Sequence, residues 1–380
     1  MIPLESAHLS VFAATHPGEG GKNNEDNYAV SAYQISESDP TPALIAIIAD
    51  GVGGHQAGEI ASSLAVETIS QVIAESDADQ PLVTLEQAFY QANEAIYSQS
   101  ISESEQVGMS TTAACAWVIG DRLYISSVGD SRIYLIREER IIQVTIDHTW
   151  VQEAIESGIL TTEQARTHPN AHLIRRHLGS KQPALPDFRL HLNQEQSDKQ
   201  AVANQGMHLE PGDQLLLCSD GLTDLVSNEE IRDVMGAYSL EGAIQELIDL
   251  ANNRGGHDNI TIIGIQAPEN LIVSVLPISK SRLILALGLF VVVLVIFAGV
   301  WLYRMYFWEE TPPDMTLVPS VTVGLSLPTV IPTSIPPTLI QTAAQPTEAA
   351  SPSPISTMGS TLSIPVQATY TPWPTSTNAP

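Results

Sequence analysis

Twenty-one consecutive residues, Leu283 to Tyr303, carry no charge and divide this 380-residue chain in two. Wound as a helix at about 1.5 Å per residue, the run is about 31 Å long, which matches a hydrocarbon core of about 30 Å. A core helix of that length would carry polar residues on one face, and the residues beyond Tyr303 offer nothing to cover it. From Thr311 to Pro380, 14 of 70 residues are Pro, 23 are Ser or Thr, and only Asp314 and Glu348 are charged. A segment of that composition does not offset its ordering entropy with a core. The expectation is one transmembrane helix over 283–303 and a disordered Pro/Ser/Thr-rich tail over 304–380. Lys280 and Arg282 precede the run and Arg304 follows it, a basic excess that favours the N-terminal side as cytoplasmic. The first residues lack the basic start and apolar stretch of a signal peptide. A single-pass cell-membrane protein is therefore expected, with a cytoplasmic domain over 1–268, a juxtamembrane linker over 269–282 and an extracytoplasmic tail.

Charge narrows the function of the N-terminal part. Residues 1–277 hold 13 Lys and Arg against 39 Asp and Glu, most of the chain's net charge of −27. Nucleic-acid binding needs Lys and Arg to displace counterions from phosphates, so it is excluded. The two cysteines, Cys115 and Cys218, make no disulfide framework and lack zinc-ligand spacing. The residues six positions on are Asp121 and Asp224, not Arg, so the phosphate-cradling loop of a cysteine phosphatase is absent.

Apolar runs bounded by Gly or Asp mark strands at Ala43–Ala49, Thr112–Ile119, Leu123–Val128, Ile133–Ile136, Gln214–Cys218 and Ile260–Ile265. Helical periodicity covers Ala57–Ser76, Leu82–Ser98, Asn228–Met235 and Leu240–Asn252. Helices after an early strand, then many hairpin-linked strands, favour an α+β fold of antiparallel sheets with helices outside.

The chemistry is carried by short acidic motifs: Asn24-Glu25-Asp26, Asp50-Gly51-Val52-Gly53-Gly54-His55, Gly129-Asp130-Ser131-Arg132, Ser219-Asp220-Gly221-Leu222-Thr223-Asp224 and His257-Asp258-Asn259. One Asp-Gly pair is ordinarily a turn. Several carboxylates at the ends of buried strands are different, because clustered like charges repel unless a cation neutralises them. An all-oxygen set suits Mg²⁺ or Mn²⁺ better than zinc. Gly51, without a Cβ, lets its carbonyl approach an ion.

In order along the chain, NNEDN, ADGVGGHQAGEIAS, GMSTTA, SVGDSRIYLIR, DHTWVQE and CSDGLTDL…GGHDNIT resemble the metal-dependent protein phosphatases of the 2C type, in the bacterial form with DGxGGH. The likeness covers about residues 7–267. It implies a four-layer αββα sandwich of two antiparallel sheets flanked by helices. It also implies two Mn²⁺ or Mg²⁺ ions and hydrolysis of phosphoserine and phosphothreonine proteins by in-line attack of a hydroxide bridging the ions. By the same likeness, Asp50 bridges the ions, Glu25 and the Gly51 carbonyl hold one, Asp220 and Asp258 hold the other, and Asp26 positions a water. Asp130, Asp220 and Asp224 correspond to a third, weaker ion. Thr111, Thr112 and Ser131 are expected to be structural and Arg132 to pair with carboxylates. The natural counterpart would be a membrane Ser/Thr kinase or its substrates, and the chain is expected to act as a monomer.

Two departures stand out. The His that some relatives carry two residues after the bridging Asp is Val52 here, leaving His55, three residues further on, as a weaker general acid or a loop brace. The Arg that many relatives carry five residues before the first-motif Asp, to grip phosphate, is Gly21, followed by Lys22. Either the grip is missing, or Lys22 replaces it, or Gly21 serves a left-handed backbone. The segment from Asp147 to Asp187 resembles the family's flap, with Arg175 and Arg176 as substrate contacts or structural ion pairs. A catalytically silent binding module, or a sensor acting through its tail, is the competing reading, and retention of Glu25, Asp26, Asp50, Asp220 and Asp258 speaks against silence.

Overall fold

The computed structural model describes residues 1–269 except Lys22, residues 53–56 and Gln194, together with Ala298, Gly299 and Leu302. Nearly all of the expected span and of its linker, and the whole tail, like Lys22 and His55, lie outside the described residues. Among those described, no helix is long and apolar enough to cross a membrane. The chain divides into Met1–Val293 and Leu294–Pro380, and all the sheets and helices named here belong to the first unit.

Among the described residues, twelve strands form two sheets. The first has the order β1 (Ile2–Pro3), β3 (Asp26–Gln34), β4 (Pro42–Val52), β6 (Ala113–Ile119), β7 (Arg122–Val128) and β10 (Met207–His208), with β5 (Ser110–Thr111) paired to the end of β4. The second runs β2 (Ser10–His16), β12 (Ile260–Gln266), β11 (Gln214–Cys218), β8 (Arg132–Arg137) and β9 (Arg140–Gln143). Every pairing is antiparallel.

Strand periodicity explains the layers, since alternate side chains face opposite sides of a sheet. In β4, Ala43, Ile45, Ile47 and Ala49 pack with Ala61, Ala65, Ile69, Leu85 and Phe89 of the helices α1 (Ala57–Glu75) and α2 (Pro81–Ser102). The intervening Leu44, Ala46 and Ile48 pack with Leu215, Leu217, Ile263 and Ile265 of the second sheet. On that sheet's far side, Leu216, Cys218 and Ile262 meet Ile231, Met235, Ile244 and Leu247 of α7 (Asn228–Ala237) and α8 (Leu240–Asn253). The order is helices, sheet, sheet, helices. Because β4 is buried on both faces, its sequence is an unbroken apolar run rather than an alternating one. Truncating a fully buried residue there, such as Ile47, would cost about 2–5 kcal/mol through lost burial and a cavity.

One expected strand boundary moves, and two long strands appear that the sequence pattern does not predict. β4 continues past Ala49 through Asp50 to Val52, because Gly51 and Val52 pair with Thr111 and Ser110. β2 and β3 were not expected as strands, and both are mostly half-buried, without the continuous apolar pattern of β4. Between β9 and β11 lie three short helices, α3 (Trp150–Glu156), α4 (Thr162–Arg166) and α5 (Asp198–Ala203). α6 (Asp220–Thr223) follows β11 directly.

Candidate metal centre

The acidic motifs converge at one end of the two sheets. Asp26 opens β3 and stands directly opposite Asp50 in the β3–β4 register. Asp220 begins α6 at the end of β11, and Asp258 lies just before β12, the neighbour of β11. Asp130 sits in the turn between β7 and β8. Sheet pairing thus assembles carboxylates that lie up to 232 positions apart in the chain.

Glu25 and Gly51 meet through a tight backbone packing. The Gly51 amide donates to the Glu25 carbonyl at 3.2 Å. A Cβ built on Gly58, in the first turn of α1, would stand 2.6 Å from Glu25 Oε2 and 2.9 Å from the Gly51 carbonyl oxygen. A carboxylate and a carbonyl oxygen therefore converge on one point, and only glycine leaves that point open. The Ser62 hydroxyl donates to the Glu25 carbonyl at 2.6 Å. Asn259 completes the anchoring: its Oδ1 accepts from the Glu25 amide, and its Nδ2 donates to the carbonyls of Pro17 and Asn23.

The hydroxyls fix strand ends rather than carboxylates, as expected for Thr111, Thr112 and Ser131. Thr112 Oγ1 accepts from the Asp50 amide at 3.0 Å and shares a 2.7 Å hydrogen bond with Ser131, while Thr111 donates to the Asp50 carbonyl at 2.8 Å. Ser219 instead meets a carboxylate. Its hydroxyl donates to Asp26 Oδ2 at 2.8 Å.

Asp26 Oδ1, Asp130 Oδ1 and Asp220 Oδ1 are buried and have no hydrogen-bond partner among the described residues. Burial first, then neighbouring negative charge, drives these groups towards protonation. Asp26 is pushed up to about 7 by burial, only partly opposed by hydrogen bonds from Thr261 and Ser219, with Asp220 and Asp258 adding repulsion. Asp220 is pushed up to about 6 by burial, then by Asp224 and Asp258. Asp50 is raised well above the carboxylate range by burial and by Asp26, Asp220 and Asp130. Asp130 is raised likewise by burial, then by Asp220 and Asp147. Unpartnered buried oxygens among mutually repelling carboxylates fit a site for hard divalent cations. The adjoining guanidinium, Arg132, offsets Asp130 only in part. It forks onto Asp147 at 2.7 and 3.0 Å and donates to the Tyr134 hydroxyl.

The remaining candidates fall elsewhere. Arg175 pairs with Glu153 at 3.3 Å on the surface, and with Arg176, His177, Ser180 and Gln182 it lines an open hollow of about 320 Å³. Gly21 adopts φ +67°, with open space where a Cβ would stand. The backbone there is left-handed, as one of the three alternatives required.

Several contributors were not anticipated. His148 Nδ1 accepts from the Gly129 amide at 3.0 Å, next to Asp130, and its Nε2 meets Asp187 at 3.1 Å. Asp187 is itself gripped by Arg189. His172 Nδ1 lies 3.2 Å from Asp224 Oδ2. His148 stood inside the DHTWVQE motif, but no spacing rule connects His172 with Asp224.

The family model "Protein phosphatase 2C" matches residues 16–255. The protein phosphatase PhpP of Streptococcus pneumoniae is 35% identical over 259 residues, covering 67% of this chain and 96% of PhpP. The serine/threonine phosphatase structure from S. agalactiae superposes with a TM-score of 0.59 at 32% identity, covering 68% of this chain and all of that one. The catalytic domain of the phosphatase PstP, solved with two manganese ions, superposes with a TM-score of 0.56 at 31% identity, over 68% of this chain and 97% of that one. With its sheets, its carboxylate cluster and these likenesses in agreement, the chain belongs to the protein phosphatase 2C family.

Proposed function

We propose that this chain hydrolyses phosphoserine and phosphothreonine esters of proteins at a centre for two divalent ions, Mn²⁺ or Mg²⁺. The observation that carries the reading is the trio of buried, unpartnered carboxylate oxygens on Asp26, Asp130 and Asp220. The manganese-bearing PstP structure supports the same ion count. Asp50 would hold both ions, Glu25 and the Gly51 carbonyl one of them, and Asp220 with Asp258 the other. When bound, such ions lower the pKa of water towards neutrality and offset charge on the phosphoryl group.

The chain's own residues supply position. Asp26, with Oδ2 fixed by Ser219, keeps Oδ1 available to accept a hydrogen bond from a water and so orient it. Ser62 and Asn259 hold the Glu25 backbone, and Thr111 and Thr112 hold both backbone groups of Asp50. Arg175 and Arg176 would meet the peptide flanking the phosphoresidue. Assaying the full chain on a phosphothreonine peptide, after chelation and again with Mn²⁺, tests this. Hydrolysis that survives chelation would overturn it.

The same proposal puts the catalytic unit in the cytoplasm, anchored by 283–303 and opposing a membrane Ser/Thr kinase. Its support is the uncharged run with Lys280 and Arg282 before it. Protease added to spheroplasts should trim residues beyond Arg304 and spare the catalytic unit, and the reverse pattern would invert the topology.

A further inference from the structure

We propose that His172 is a nitrogen ligand of an outer metal position shared with Asp224 and Asp220, and that this position therefore favours Mn²⁺ over Mg²⁺. The inference rests on the metal-dependent function proposed for this chain. It concerns the donor set of the third ion, for which family likeness offers only Asp130, Asp220 and Asp224.

Donor atoms of His172, Asp220 and Asp224 all lie within 4.8 Å of one another. His172 Nδ1 and Asp224 Oδ2 are 3.2 Å apart. Donors about 2.1 Å from an octahedral ion stand about 3 Å apart when adjacent, so this pair already has the separation of neighbouring ligands. An independent feature marks the inner side of the same place. Asp130, only 6% exposed, has a buried Oδ1 without a partner among the described residues, and so does Asp220. A surface ion pair alone would leave the Asp130 oxygen unexplained, and Asp130 is not among the ligands assigned to the two inner ions.

Backbone contacts keep His172 where it is. The Trp150 amide donates to the Leu173 carbonyl at 2.9 Å, the Arg175 amide donates to the His148 carbonyl at 2.7 Å, and Thr149 bridges Ile174. Trp150 also stacks on His168 with ring centroids 4.7 Å apart. The segment carrying His172 is thus tied to the start of α3, and a shared ion would tie it to α6 as well. The His172 side chain is 67% exposed, so the position opens to solvent and should exchange readily. Imidazole is a softer donor than carboxylate or water, and it strengthens binding of Mn²⁺ relative to Mg²⁺.

The test uses the full chain, stripped of metal and titrated with Mn²⁺. Bound ion is counted from the spectrum of free Mn²⁺, and nitrogen coordination is read by pulsed electron paramagnetic resonance. Two tight ions and one weaker ion are expected, with a ¹⁴N coupling that appears as the weaker position fills. His172→Ala should abolish that coupling and weaken the third Mn²⁺ about tenfold. The two tight ions, and Mg²⁺ at the weak position, should change less than twofold. Absence of the ¹⁴N coupling in the wild type, or an unchanged third affinity in the variant, overturns the role of His172 and leaves the two-metal reading intact. If the wild type binds no tight pair at all, that reading falls and this inference with it.

Discussion

The strand-end carboxylates and the segment from Asp147 to Arg189 border one another yet are built in opposite ways. Asp26, Asp50 and Asp220 are fixed by sheet register, by hydrogen bonds to their own backbones and by cores on either side. Their carboxylates are left uncompensated. Along the neighbouring segment the charges are compensated: Arg132 with Asp147, Arg175 with Glu153, Arg189 with Asp187. Stability is spread over ordinary pairs in the second region and withheld from the first. Charge frustration inside a rigid frame is what makes a cation site, whereas paired charges on a short-helix segment make a surface.

Breaking the frame should have the largest effect. Asp50→Asn is expected to lower kcat at least about 10³-fold, measured on a phosphothreonine peptide, because metal-assisted hydrolysis depends on its ligands. Removing a buried carboxyl whose ionisation is opposed by burial and by Asp26, Asp220 and Asp130 should also raise the melting temperature of the chelated protein. Wild-type turnover by this variant would refute the bridging assignment.

Next in size is Gly58→Ala, whose new methyl would overlap Glu25 Oε2 and the Gly51 carbonyl. Affinity for the ion held by Glu25 should fall about tenfold in a Mn²⁺ titration. Unchanged affinity would show that the cradle has room.

Acidity sharpens the contrast thermodynamically. Asp26 and Asp220 sit at about 7 and about 6 in the folded, metal-free protein, against 3.8 for an unperturbed aspartate. The folded state therefore binds more protons than the unfolded state between these values. Stability is fully present below about pH 4 and is lost as pH rises through 6 and 7. The melting temperature of the chelated protein should fall by several degrees from pH 5 to 7.5, and Mn²⁺ should abolish that slope by binding the folded form. A flat profile in chelator would mean that the carboxylates are compensated after all.

Gly21→Arg should have a smaller effect. A left-handed backbone at φ +67° penalises any side chain by about 1–2 kcal/mol, although nothing obstructs the Cβ. Melting should drop by a few degrees, with no gain in kcat/KM. A tenfold gain would instead restore the missing phosphate grip. Smallest of all should be Arg175→Ala, which removes an exposed pair worth about 0.2–1 kcal/mol. Its effect on the melting temperature should be within two degrees, and a larger loss confined to KM would assign Arg175 to substrate.

How much was legible follows the same divide. β11 was legible to the residue because an apolar run buried on both faces ends abruptly at polar neighbours, and the four long helices to within a few residues at either end because burial on one face imposes a period. The acidic cluster was legible because its members abut such strands. β2 and β3 were not, since mostly half-buried strands with Ser, Thr and Asn lack a clean alternation. That β4 runs on through Asp50 depends on its partner, β5, some 60 residues away. The helices α3 and α4 are set by capping from Thr149 and Thr161, a signal that many Thr residues carry without effect. The meeting of His172 with Asp224 depends on how an irregular segment lies across α6, which no periodicity encodes.

The two sulfur atoms give the layered packing a practical consequence. Cys115 lies between the first sheet and its helices, Cys218 between the second sheet and its own, and both are fully buried. Burial pushes the Cys218 thiol up to about 12 and that of Cys115 further still. Neither offers a thiolate at neutral pH, and a protonated thiol is slow to react with peroxide or alkylating reagents. Oxidants that silence thiol-dependent enzymes should leave both thiols of the folded chain untouched. Conversely, each sulfur becomes reactive only when its own layer parts, so the rates at which the two take up an alkylating label time the opening of the two halves separately.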